Sequence, residues 1–394
     1  MPTAAAGAEC RGGPSVSLSM SFRSISVISL RRNQVASMEP SSEEELLQLD
    51  LLHCRLVTSL QSVLPLTISS GSTKKSCPAA AAGGGRPVVS LPFLYKLIDA
   101  FLDCESDFKS FLHLVLSRNP NLISRPPLDR AVSDLLDRSL KALDLCNSVS
   151  LSIDSLRNWN RHADIAASAL IPLAPPAPSR LNRARSALSK LAGRSALSFT
   201  SSKISRSWSA TKQLQAMATS TAAPRSCDSG SAAVLAIAVN TISTMLAFVM
   251  WVLVLAFPCG GGVAGSSPPP ATAVRQIPWT VALAALQDRV VEERRRERGG
   301  GGTTFAAVAG ILTETLAVER VGREVMEAVS NGGETIGKAA ELAAVSRSLE
   351  DGLLPFEMKV RDLFHRVVRS REEVLRRLDI GSRSPPFSIA SLFS

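Results

Sequence analysis

Apolar residues recur along this chain at three- and four-residue steps, the spacing of a single helix face. Leu46, Leu49, Leu52, Leu56, Leu60 and Val63 follow it, and Ser42-Glu43-Glu44-Glu45 just ahead has the S-x-x-E form of a capping box. The spacing predicts a helix from about Ser42 to Pro65. Residues 66–90, made largely of Ser, Gly, Ala and Pro, read as a flexible loop. A second helix is predicted from Leu91 to Leu116, with Leu94, Leu97, Ile98, Phe101, Phe108, Phe111, Leu112 and Val115 inward, stopped by Asn119-Pro120. A third begins after Pro126-Pro127, where Leu128, Val132, Leu135, Leu136, Leu143, Cys146, Ile153 and Leu156 share a face. Its other face alternates Asp129, Arg130, Asp134, Asp137, Arg138, Lys141 and Asp144, the pattern of a solvated surface.

Pro172, Pro175, Pro176 and Pro178 mark a hinge. A short amphipathic helix follows, with Leu181, Ala184, Leu188 and Leu191 on one side and Arg183, Arg185 and Lys190 around them. From Ser229 to Val274 the chain carries no charge, and Ala232–Phe257 is apolar except at Asn240, Thr241, Ser243 and Thr244. Pro258 and Gly260-Gly261-Gly262 end that run. Further helices are predicted over Ile277–Arg298, Phe305–Val329, Glu334–Glu350 and Leu353–Leu378, the last with Phe356, Val360, Leu363, Phe364, Val367, Val374, Leu375 and Leu378 as its seam.

No segment alternates with period two for long. The expected fold is therefore all-α: an elongated antiparallel bundle of long helices with a disordered N-terminus and loops and one very hydrophobic helix. The expected organisation is an extension over 1–37, helical 38–170, a Pro hinge and basic segment over 171–228, the hydrophobic helix 229–259, a Gly/Pro linker 260–276, helical 277–380, and a frayed tail 381–394. The Ser- and Arg-containing extension resembles a targeting segment in composition, but an unstructured extension is the preferred reading.

Composition agrees with a helical reading: 13 Phe, 4 Trp and 1 Tyr leave few residues of the kind strands favour. The net charge of +10 is uneven. No acidic residue lies between Asp164 and Asp228, an interval that holds nine Lys and Arg, among them Arg206, Lys212 and Arg225. Basic residues beside an apolar run suit the anionic face of a membrane; a linker with incidental charge has the same composition. Only Phe199 and Trp208 are interleaved with them, so the stacking that single-stranded nucleic acid requires is not provided, and no nucleic-acid partner is expected.

The apolar run is long enough to cross a bilayer. Ala232, Val234, Met245, Phe248, Trp251 and Phe257 mark that membrane segment. A helix apolar all round is buried either in lipid or in a protein core, and the helical seams on both sides of the run each require a partner. Both readings stand at this point.

Motifs for chemistry are scarce. The seven cysteines are scattered, odd in number and never form C-x-x-C. Four histidines, His53, His113, His162 and His365, lie far apart. Gly332–Ala339 has the G-x-x-x-x-G-K spacing of a phosphate loop, but Ala339 stands where magnesium binding needs Ser or Thr, and a helical pattern precedes it. No catalytic residue, metal site or cofactor is expected.

The order of blocks resembles the plant BYPASS-related family, which includes the ROH-like proteins. The resemblance rests on LPFLYKLIDAFLDCESDFKSFL (Leu91–Leu112), PPLDRAVSDLLDRSLKALDLCNSVSLSIDSLR (Pro126–Arg157), SWSATKQLQAM (Ser207–Met217), FVMWVLVLAFPC (Phe248–Cys259) and DLFHRVVRSREEVL (Asp362–Leu375). The resemblance implies a non-enzymatic protein with one transmembrane segment, linked to growth control and, through an exocyst subunit, to secretory-vesicle tethering. It supplies no catalytic residue and no cofactor. The charged side of the last helix, Arg361, Arg366, Arg369 and Arg371, is the expected partner surface. The expected location is the cytosolic side of a membrane, the cytosol being the alternative.

Overall fold

The seams predicted from spacing are the surfaces along which the helices meet. In the computed structural model, residues 40–63, 88–126, 128–171, 177–192, 209–219, 230–259, 269, 277–299 and 310–383 are described, all within the unit 39–394. Among them are nine α-helices, one 3-10 turn at Leu122–Ser124 and no strand. The helices are α1 (Pro40–Val63), α2 (Leu91–Arg118), α3 (Leu128–Leu170), α4 (Pro178–Ala192), α5 (Ala210–Thr219), α6 (Ser231–Ala256), α7 (Pro278–Gly299), α8 (Thr313–Asn331) and α9 (Ile336–Arg383). The all-α expectation holds. The N-terminal extension, the loop at 66–87 and the tail after Arg383 lie outside the described residues.

Four helices build the centre, and residue pairings give their directions. α3 and α9 share the largest interface and run antiparallel: Asn160 meets Ser346, Arg157 reaches Glu350 and Glu357, and Arg371 donates to the Leu136 carbonyl. α2 runs parallel to α9, joined by Asp99–Lys359 and Glu105–Arg366. α6 runs parallel to α3 and antiparallel to α2. In chain order the central set is therefore up-down-down-up, with both like and opposite neighbours. α1 lies antiparallel on α2 through Glu44–Arg118 and Arg55–Asp107. α4 and α8 pack on each other antiparallel and on α3, with Gly322 directly under Leu191.

Two expectations about helix ends are corrected. The capping box does not form: α1 starts at Pro40, so Ser42 is already helical, and neither carboxylate oxygen of Glu45 has a hydrogen-bond partner. Proline supports this earlier start, since the first turn does not use its missing N–H. The expected break between Glu350 and Leu353 is also absent, and α9 runs on through Gly352 and Pro355. Packing outweighs propensity here, because Gly352 sits against Leu91 and Phe356 stacks on Phe257 with ring centroids 5.4 Å apart. The Asn331-Gly332-Gly333 stop is real: Gly332 is left-handed at φ +67°, and the Gly333 N–H returns to the Ala328 carbonyl.

Buried polar groups join distant parts of the chain. Glu293 of α7 accepts the backbone N–H groups of Val88 and Val89 at 2.8 and 2.9 Å. Glu314 of α8 accepts the N–H of Leu91 at 3.0 Å. Both carboxylates thus serve the amide-rich start of α2, where negative charge is favoured. Thr313 donates its hydroxyl and its N–H to the Val89 carbonyl, each at 2.9 Å. Asn160 and Ser346 exchange two hydrogen bonds deep in the α3–α9 interface.

The C-terminal end of α6 is closed by a single backbone contact. Ile311 N–H donates to the Leu255 carbonyl, which the helix itself leaves unpaired. Gly310 precedes it at φ +82°, and a Cβ there would lie 2.2 Å from the Ala256 carbonyl oxygen. Gly310→Ala should therefore cost about 3 kcal/mol or more, from left-handed strain plus backbone displacement. Gly230→Ala, left-handed at φ +139° but in open space, should cost about 1 kcal/mol. Urea unfolding of the two variants checks the difference; equal costs would show that the close approach to α6 carries no energy.

Candidate functional site

α6 is the feature from which any function must be argued. Its 26 residues form one helix that is long and apolar enough to cross a membrane. In the structure most of that helix is buried. α2, α3, α1 and α5 pack along it, and α9 approaches it beside Ile242 and Leu246 and at Phe257. Val234, Met245, Phe248, Trp251 and Phe257 are buried, while Ala232, in the first turn, is half-buried. Helices before α6 thus supply most of its cover, α9 touches it, and α3 and α9, which flank it in sequence, pair with each other.

The polar residues of α6 have specific surroundings. Thr241 donates to the Ile237 carbonyl at 2.9 Å, so its oxygen is left to accept. His53 of α1 lies 3.1 Å from that oxygen through Nε2, and its ring leans on Trp279 at 6.0 Å. The Nε2–H tautomer satisfies this pairing. Burial lowers the His53 pKa to about 4. Nothing in the sequence around His53 signalled this contact, because its partner is 188 residues away.

The basic segment is divided by the structure. α4 buries Ala184, Ala187, Leu188 and Leu191 against α3 and α8, so its apolar face is already used within the bundle. The Trp159 indole caps its last turn by donating to the Leu191 carbonyl at 2.9 Å. Lys212 is exposed on α5, whose Ala210, Leu214 and Met217 face inward. Arg206 and Arg225 lie outside the described residues.

The four arginines of α9 separate into two kinds. Arg366 turns inward to Glu105, a carboxylate only 1% exposed, at 3.2 Å, and Lys109 approaches the same group at 3.3 Å. Arg371 bonds the Leu136 carbonyl. Arg361 and Arg369 remain exposed, held to their own helix by Glu357 and by the His365 carbonyl. Arg361 shares its face of α9 with Leu354 and Met358, which are 60% and 51% exposed. Arg138, expected on the solvated face of α3, is buried instead. α3 is covered from several sides, so its buried arc is wider than one seam; burial lowers the Arg138 pKa, and Asp134 one turn earlier opposes the shift.

The titratable groups among the described residues have the following surroundings. Among the described residues no group of three or more His, Cys, Asp or Glu could hold a metal. Burial pushes the Cys146 thiol up to about 12 and the Cys259 thiol up to about 11, far from the thiolate that attacks or ligates. The cavity where α2, α3, α6 and α9 meet is about 20 Å³, the size of a water rather than a substrate. Gly332–Ala339 joins two helices, so the strand that a phosphate loop needs is not there.

A family described as Protein ROH1-like matches residues 14–196 and 192–378. Protein ROH1A of Arabidopsis thaliana is 31% identical, over 91% of this chain and 96% of its own length. Protein ROH1D of the same plant is 33% identical, over 73% of this chain and 82% of its own. No solved structure matches the chain.

His53 gives a pH test of the buried core. Its folded pKa lies below the unfolded value of about 6.5, so the unfolded chain binds the extra proton more readily. Its contribution is present in full above about pH 6.5 and is lost as the pH falls toward 4. Between about pH 7 and about pH 5 the protein should lose roughly 2 kcal/mol through this group. His53→Gln, which keeps a donor for Thr241, should lack that increment. Urea unfolding at both pH values decides, and an unchanged pH dependence in the variant would remove His53 from the account.

Proposed function

Because the chain belongs to the ROH1-like family, we propose that this plant protein works without catalysis, as a helical adaptor that binds another protein, and that its partner is an exocyst subunit in secretory-vesicle tethering and growth control. The observation that carries the adaptor reading is the cover of α6. A helix with no polar face is packed here by α1, α2, α3 and α5 from before it in sequence, and α3 in turn pairs along its length with α9 from after it. That arrangement supports α6 as the core of a bundle lying wholly on the cytosolic side, and it supports surfaces rather than a cleft as the working parts. The partner's identity follows from the family resemblance. The face of α9 formed by Leu354, Met358 and Arg361 is the docking surface, since large apolar side chains are exposed beside a cation there.

A second reading is favoured by the length and hydropathy of α6. In it the helix spans a membrane once and the bundle opens. The charge distribution would then hold the basic segment in the cytosol and send α7, α8 and α9 to the far side. That topology would strip α3 of its α9 partner, part Asn160 from Ser346 and take Arg366 from the buried Glu105.

Two measurements separate these readings. Under the adaptor reading the protein is released by alkaline carbonate, and protease removes a C-terminal tag without detergent. A carbonate-resistant protein with a protected tag would establish the span. For the partner, purified exocyst subunits are titrated one at a time. One subunit should bind, and Leu354→Asp combined with Met358→Asp and Arg361→Glu should weaken it at least about tenfold, about 1.4 kcal/mol. Absence of binding by every subunit would end the exocyst assignment, whereas unchanged binding by the variant would move the interface elsewhere.

A further inference from the structure

α2 and α9 run parallel, and along part of their length they leave an open groove of about 470 Å³ between them. Lys109, Ser110, Leu112 and His113 line it from α2; Arg369, Glu373, Arg376 and Arg377 line it from α9. Four cations therefore face one carboxylate. Glu373 is already occupied by its own helix, bonding Arg377 at 2.9 Å and Arg376 at 2.9 Å. The Arg377 hydrogen bond, together with the charges of Arg376 and Lys109, keeps the Glu373 carboxyl below the usual carboxylate range. Arg369 uses only its Nε, on the His365 carbonyl at 3.3 Å. Arg376 is 69% exposed. Positive charge is thus gathered in a concave place and is incompletely answered there.

The groove's size limits what answers it. From Arg369 to Arg377 the helix advances about 12 Å. An extended acidic peptide of that length offers only about four residues, and alternate side chains point away. A phosphomonoester brings between about −1.5 and −2 in one group with three acceptor oxygens, and Arg meets such groups with paired N–H donors. Two or three phosphates on one small ring match both the volume and the charge of this groove.

We propose that the groove between α2 and α9 binds a compact ligand carrying two or more phosphomonoesters, the chemistry of an inositol phosphate whether free or as the headgroup of a lipid. Arg369, Arg376 and Arg377 are the phosphate-binding side chains, Ser110 and His113 line the opposite wall, and Lys109 is shared with buried Glu105. The site rests on the bundle staying closed, because a membrane-spanning α6 would part α2 from α9, and it uses none of Leu354, Met358 and Arg361, the docking residues proposed above.

Calorimetric titration of the full chain with inositol trisphosphate at about 0.1 M salt tests it, since more salt would screen the contact. One saturable site is expected. Arg369→Gln with Arg376→Gln and Arg377→Gln should weaken binding about a hundredfold at unchanged helicity. Removing the same charge from α4, by Arg180→Gln, Arg183→Gln and Lys190→Gln, should leave it unchanged. No saturable binding, equal losses in both variants, or equal competition by an Asp-rich peptide would each overturn the proposal. Flotation with vesicles containing a phosphoinositide, against vesicles matched in charge with phosphatidylserine, assigns the source. Groove-dependent flotation on the first alone identifies the lipid, and retained trisphosphate binding without flotation identifies the free ligand.

Discussion

A helix with no polar side cannot lie at the boundary between protein and water, and α6 imposes that condition on everything around it. Thirteen successive residues, Met245 to Phe257, are apolar and buried. A helix that carries charge on one face can be half-covered; this one needs neighbours on all sides. Four of those neighbours, α1, α2, α3 and α5, come before it in the chain, and α9, which touches it, comes long after. The fold is consequently not a row of local hairpins. Its central set has two parallel neighbours, which short loops cannot make, and long connections must carry the chain back.

The polar groups at the seams follow from that topology. Bringing the start of α2 against α7 and α8 buries backbone amides that α2 itself cannot satisfy. Glu293 and Glu314 meet them, and Thr313 takes the neighbouring carbonyl side. Asn160 and Ser346 do the same work between α3 and α9, fixing the register of two long helices that apolar contact alone would let slide. The buried Glu105, reached by Lys109 and Arg366, ties α2 to α9 in the same manner.

How much of this was legible in the sequence depends on the range of the signal. Local periodicity found the helices and most of their inner faces: Leu49, Leu52, Leu56, Leu60 and Val63 are all buried, as are Phe356, Val360, Leu363, Val367 and Val374. The turn at Gly332 was legible because a left-handed residue has a chemical signature. The uninterrupted α9 was not, since Gly352 and Pro355 argue locally for a break and only Leu91 and Phe257 argue against it. The carboxylate clamps were invisible for the same reason, with donor and acceptor up to 223 residues apart. Of the four arginines singled out on α9, periodicity could assign a charged side but not tell Arg366 and Arg371, which serve the bundle, from Arg361 and Arg369, which do not.

The close contact of Gly310 and Ile311 with the end of α6 also has a meaning in time. The chain is made from its N-terminus, and the residues that seal α6 emerge only after it, with α9 not complete until Arg383. At ordinary synthesis rates the delay between the end of α6 and the end of α9 is roughly 6 to 25 seconds. During that interval the most apolar helix in the protein has only part of its cover. The nascent chain thus presents to chaperones and to the membrane-insertion machinery the same segment that the finished fold encloses. The order of helices along the gene, as much as their composition, sets how long that exposure lasts.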